Sequence, residues 1–182
     1  MSELSEIREQ FVILLLGSTD EPIPTIRHVQ KEIFILSKIQ PKIQNLFQFE
    51  KHYEGPYSQL LQESVRDPRH YDRAYHVTSR DSLILLPNGQ TIYDNLVQQT
   101  KDDRYFLSLI NSLRLIRTIY DKLSKDELLF LIYDTYPEFI EFSNVYDNLV
   151  KNVERRNKII TNLRRKGLIT KDRFEELIQN DS

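Results

Sequence analysis

The chain has 182 residues, 40% of them apolar, enough to bury a core in one domain or in two small ones. Its 25 Lys and Arg stand against 27 Asp and Glu, a formal net charge of −2, so no global field draws it to polyanions and nucleic-acid contact must rest on local patches. The lack of cysteine excludes a disulfide scaffold, a zinc ribbon and a thiol nucleophile, and fits a cytoplasmic protein.

Residues 5–16 are expected to form a first helix, with Ile7, Phe11, Leu14 and Leu15 towards a core. The apolar run from Phe11 to Leu16 is too short to span a bilayer. It also follows Glu3, Glu6 and Glu9 rather than basic residues, so neither a membrane span nor a signal peptide is read here. Past Pro22 and Pro24, Thr25 is placed to cap a second helix running from Ile26 to about Lys38. Ile26, Val29, Ile33 and Leu36 face inward on it, and Arg27, Lys31 and Lys38 outward.

Phe47 and Phe49 alternate as in a short extended segment, and Gly55-Pro56 breaks the chain. Helical spacing then returns over 57–66, with Tyr57, Leu60, Leu61 and Val65 on the apolar side, until Asp67-Pro68. Ala74–Thr78 and Leu83–Leu86 are β-favouring runs joined by Ser79–Ser82, a hairpin, and a helix resumes over 90–99. Helix, helix, helix, hairpin, helix is the order of a winged helix-turn-helix. The expected fold class is therefore mainly α with a small β-hairpin (α+β), a winged helix-turn-helix over 1–100 followed by a helical C-terminal section over 101–182.

In the second section Phe106, Leu109, Leu113, Ile116, Tyr120 and Leu123 recur three and four apart, a short heptad seam that suits internal packing or a homodimer. Ser124–Glu127 is a capping box opening an apolar helix that Pro137 ends. A long helix is expected from about Asn144 to Lys166, stopped by Gly167, and Thr170 caps a short last helix. Residues 150–173 carry nine Lys or Arg against only Glu154 and Asp172.

Gln30-Lys31-Glu32-Ile33-Phe34 and Tyr53-Glu54-Gly55-Pro56-Tyr57-Ser58 together carry a resemblance. The chain resembles a broad group of prokaryotic, archaeal-type winged-helix proteins with a Gln-Lys-x-x-Phe helix and a Tyr-Gly-Pro-Tyr/Phe-Ser turn before the third helix. It is distantly similar to the Panacea antitoxin domain. Glu54 stands where an aromatic is usual in that group, and the second half, with Tyr136-Pro137 after an apolar helix, also looks like it. The resemblance implies a winged-helix DNA-binding or antitoxin-like role.

Four residues on helix 57–66, Ser58, Gln59, Gln62 and Arg66, are the candidate base readers, since Gln pairs with adenine and Arg with guanine. Arg69, Arg73 and Arg80 near the hairpin, and the polar stripe Lys151, Arg155, Lys158 and Arg165, are the candidate contacts to the DNA backbone. Glu63 opposes phosphate on the same helix, and Asp67, Asp72 and Asp81 offer local ion pairs instead. The four histidines lack ligand-like spacing, and no phosphate loop or nucleophile motif is present, so no metal, no cofactor and no enzymatic activity are expected. The function read from the sequence is a winged-helix DNA-binding protein, a transcriptional regulator acting on double-stranded DNA. The alternative is a protein-interaction module of antitoxin type that grips a partner such as a toxin.

Overall fold

A computed structural model describes residues 3–179. They are mainly helical, with two small two-stranded sheets. The order is α1 (Glu3–Gly17), α2 (Ile26–Ile39), α3 (Pro41–Phe47), β1 (Glu50–His52), β2 (Gly55–Tyr57), α4 (Gln59–Arg66), β3 (Tyr75–Val77), β4 (Leu83–Leu85), α5 (Pro87–Gln99) and α6 (Arg104–Tyr120). Then come α7 (Lys125–Thr135), a 3-10 turn at Pro137–Phe139, α8 (Tyr146–Val150), α9 (Val153–Arg165) and α10 (Lys171–Gln179). The chain divides into two compact units. The first runs to Glu50 and from Tyr57 to Lys122; the second holds Lys51–Pro56 and the chain from Leu123.

In the first unit α2 packs against α3, α4 and α6, and α1 against α3, α4, α5 and α6. Thr25 caps α2 as expected, accepting from the His28 amide at 3.4 Å. Every residue of α2 from His28 to Ser37 is buried, so Lys31, expected on the outside, is not there. The β3–β4 hairpin is antiparallel, with Tyr75 opposite Leu85 and Val77 opposite Leu83. Ile23, in the turn between α1 and α2, adds a bridge to it: its amide donates to the Leu83 carbonyl at 2.9 Å and its carbonyl accepts from the Leu83 amide at 3.0 Å.

The link between α2 and α4 is longer than a tight helix-turn-helix turn. Phe47 ends α3 instead of starting an extended segment, and the left-handed Gln48, with φ 51°, closes that helix. Gly55-Pro56-Tyr57 forms β2, and α4 starts at Gln59, two residues later than its spacing predicts, because Ser58 is its cap. The boundary between units also differs from the expected one near residue 100. α6 packs on α1 and α2, so it belongs to the first unit. Leu109, Leu113, Ile116 and Leu123 are buried, so the heptad stripe is consumed inside the protein and supplies no dimer seam.

Gly55 has φ +80°, a left-handed conformation that favours glycine. A Cβ there would meet Leu129 and Tyr133 at ordinary contact distances of 3.5 and 3.6 Å, so strain rather than crowding sets the cost. Gly55→Val is expected to destabilise the protein by about 1 kcal/mol or more, seen as a lowered thermal midpoint. An unchanged midpoint would show that β2 does not need this conformation.

The second unit is built on α7, which packs against α8, α9 and the 3-10 turn, while α9 packs against α8 and α10. The capping box is formed: the Glu127 amide donates to Ser124 Oγ at 3.3 Å, and the Ser124 amide to Glu127 Oε2 at 2.7 Å. The single long helix expected over 144–166 is two helices. Asn152 interrupts it and caps α9, its side-chain oxygen accepting from the Arg155 amide at 3.0 Å, a role asparagine fills better than a helix interior. The segment Lys51–Pro56 is tied into this unit by Lys125–Glu54 at 2.5 Å and by the Asn144 amide, which donates to the Tyr53 carbonyl at 3.2 Å.

Candidate nucleic-acid interface

α4 is held from three sides, and each hold uses a side chain the sequence presents at the right offset. Gln30, in the middle of α2, clamps the residue before the helix: its Nε2 donates to the Ser58 carbonyl and its Oε1 accepts from the Ser58 amide, both at 2.9 Å. The two stretches that carry the resemblance therefore touch through Gln30 and Ser58. From β3, Tyr75 Oη donates to the Ser64 carbonyl at 2.6 Å, and burial raises its phenol pKa, keeping it a neutral donor. From α1, the buried Glu9 carboxylate accepts the amides of Arg69, His70 and Tyr71 at 2.8, 2.9 and 2.8 Å, fixing the loop that leaves α4.

The hairpin is docked on the same helix. Arg66 at the end of α4 pairs with Asp81 in the β3–β4 loop at 2.5 Å. Asp81 sits at φ +68°, and its carbonyl accepts from the Ile26 amide at 3.0 Å, which carries the loop to the start of α2. So α4, the loop after it and the hairpin form one continuous surface of the first unit.

The candidate base readers divide sharply. Ser58 is fully buried; its hydroxyl donates to the Phe47 carbonyl and accepts from the Leu61 amide, so it is a helix cap and cannot reach a base. Gln59 accepts from Tyr57 Oη at 2.8 Å and donates to Glu63 at 3.0 Å, and Arg66 is engaged by Asp81. Gln62 alone of the four has no side-chain hydrogen bond among the described residues, and it is half-buried.

Arg69, Arg73 and Arg80 are exposed and have no ion pair among the described residues. Glu63, Asp67 and Asp72 share this surface region, which leaves it close to neutral in sum but with three guanidiniums available to an incoming anion.

The basic stripe lies in the second unit and is largely spent there. Lys151 pairs with Asp147 at 2.6 Å, Arg155 with Asp126 at 2.6 Å, and Arg165 donates to Asn162 at 3.3 Å. Lys158 is the member with no ion pair among the described residues. Part of the local excess of positive charge, Arg155 and Lys166, answers the carboxylates that open α7. Glu127 shows this most clearly: burial opposes its ionisation, but Lys166 at 2.6 Å and the Ser124 amide hold its carboxyl below the usual value. The Arg155–Asp126 and Lys166–Glu127 pairs are invisible to local spacing because their partners are about 30 to 40 residues away in the chain, whereas Lys151–Asp147 joins residues only four apart.

Among the described residues, no cluster of His, Asp or Glu is arranged to hold a metal ion, and no helix is long and apolar enough to cross a membrane. No family model, no curated protein and no solved structure matches the chain.

Proposed function

We propose that the first unit is a winged-helix domain that binds double-stranded DNA, and that the chain acts as a non-enzymatic transcriptional regulator. The observation that carries this reading is the set of three exposed arginines, Arg69, Arg73 and Arg80, without ion-pair partners among the described residues and flanking a helix locked to its hairpin. The single-residue bridge from Ile23 to Leu83 supports the fold reading, since it ties the turn between the first two helices to the hairpin that would serve as the wing. In this reading the arginines hold phosphates, and α4 enters the major groove with Gln62 as its one uncommitted base reader. A dimer on paired half-sites belongs to the same reading, but on a surface other than the buried α6 stripe.

A protein partner, as for an antitoxin, is the second reading. It is favoured by Glu63 and Asp67 on and just after α4, which repel phosphate, and by Gln59 being already satisfied. A gel-shift titration on random-sequence duplex separates the two. The DNA reading expects a shift at ~50 mM salt that weakens by orders of magnitude towards ~200 mM. No shift at the lower salt would reject it and leave the protein-partner reading.

A further inference from the structure

The second unit contains a cleft of about 290 Å³, close to the lower limit of about 300 Å³ for small-molecule sites. Phe130, Tyr133 and Leu177 form a buried floor, and Ile140, Tyr146 and Val150 form a half-exposed apolar rim. The ring of Tyr146 stands edge-on to Tyr133, with centroids 5.5 Å apart at 90°, so the wall is already arranged for aromatic packing. Tyr133 Oη is engaged with Ser143 at 2.7 Å, and burial raises its pKa, so the phenol adds no charge.

The charged groups of the cleft decide the class of ligand. Arg173 donates to both oxygens of Asp134 at 2.7 and 2.8 Å and to Glu176 at 2.8 Å. Arg156, also in the wall, donates to the Leu177 carbonyl at 2.5 Å. Arg156, Arg173 and Asp134 lie in the wall, and Glu176, outside the wall, binds Arg173 from its exposed side. With that outer carboxylate the two guanidiniums are balanced, so a charged ligand would forfeit its hydration without gaining from the local field. A guanidinium carries five N–H groups, and the bonds from Arg173 to Asp134 and Glu176 use three of them. A carbonyl oxygen suits the remaining donors.

We propose that this cleft binds a compact, uncharged aromatic molecule bearing a carbonyl group, its ring against Tyr146 and the floor and its oxygen accepting from Arg173. The cleft lies wholly within the second unit, so its occupancy does not depend on whether the first unit binds DNA. The test is an amide NMR titration of the full chain with benzamide, benzoate and benzylamine, which share a ring and differ in charge. Benzamide should give saturable shifts confined to residues around Phe130, Tyr146 and Leu177. The two charged probes should bind about tenfold weaker, a difference of about 1.4 kcal/mol. Val150→Trp, which fills the rim, should abolish the shifts while leaving the circular dichroism melt cooperative; if that variant does not fold, Ile140→Phe serves the same purpose. Absence of saturable benzamide shifts, tighter binding of benzoate or benzylamine, or undiminished binding in a folded, filled variant would each overturn the proposal.

Discussion

Replacing Arg117 by methionine is expected to cost about 3–5 kcal/mol, the range for removing one partner of a buried charge pair. Arg117 is fully buried in α6, yet it is fixed on every side. Its Nη1 donates to the Leu15 and Leu16 carbonyls at 2.9 and 3.3 Å, its Nη2 to the Glu21 carbonyl at 2.5 Å, and its Nε to Asp121 at 2.8 Å. Together with Ser18, which also donates to the Leu15 carbonyl, this side chain satisfies carbonyls that the end of α1 leaves without helical partners, and it anchors the turn to α2. Methionine matches the length but strands the Leu16 and Glu21 carbonyls and one carboxylate, while the Leu15 carbonyl keeps its bonds from Ser18. Lysine keeps the charge but lacks the planar fork, so Arg117→Lys should restore only part of the stability. Urea unfolding should show a lower midpoint with an unchanged slope for both variants. A wild-type midpoint for Arg117→Met would mean that this network does not organise the first unit.

The second large effect is expected at Glu32, and its sign depends on pH. Glu32 lies on α2 with its carboxyl fully buried, 4.0 Å from Arg117 Nε. Burial raises its pKa well above the ordinary 4.5, the nearby Asp121 carboxylate adds to the rise, and Arg117 opposes it. The folded protein therefore keeps this proton at pH values where the unfolded chain has released it. Stability from this group is complete below 4.5 and is lost as pH rises towards the folded pKa, with a limiting slope of about 1.4 kcal/mol per pH unit. Glu32→Gln is uncharged at every pH and close in shape. It should be at least as stable as the wild type at neutral pH, and the decline should disappear. Urea midpoints measured from acid to neutral pH check this; a Gln variant that is destabilised at pH 7 and retains the decline would assign the pH dependence elsewhere.

Local signals make much of this fold legible. The α2 cap, the hairpin over 74–86, the capping box at Ser124–Glu127 and the chain reversal at Gly55 all depend on neighbours within a few residues, and each appears where the sequence places it. What escapes depends on distant partners. Arg117 and Glu32 look like surface residues by type, because charged side chains are seldom fully buried. A hint is present for one of them: an unbroken apolar run, Ile33 to Leu36, follows Glu32 directly and leaves little room for a solvated face.

The candidate interface is legible in the same uneven way. The stretches holding Gln30 and Ser58 stand out as a pattern, but its meaning, an amide clamping a helix cap, needs the geometry. Residue type alone makes Ser58 a candidate for DNA, although serine immediately before a helix is as much a cap signal as a binding one. The stripe from Lys151 to Arg165 forms one surface only on a continuous helix. With Asn152 capping a separate α9, Lys151 falls outside that helix, and Arg155 turns to Asp126.

The most direct test of the DNA reading is the salt dependence of duplex binding by the wild type and by a variant carrying Arg69→Gln, Arg73→Gln and Arg80→Gln. If these arginines hold phosphates, the log–log slope should flatten by about 0.9 for each phosphate no longer neutralised, and affinity should fall alike on every duplex. Binding by the triple variant with the wild-type affinity and slope would contradict the assignment of these arginines to the DNA backbone.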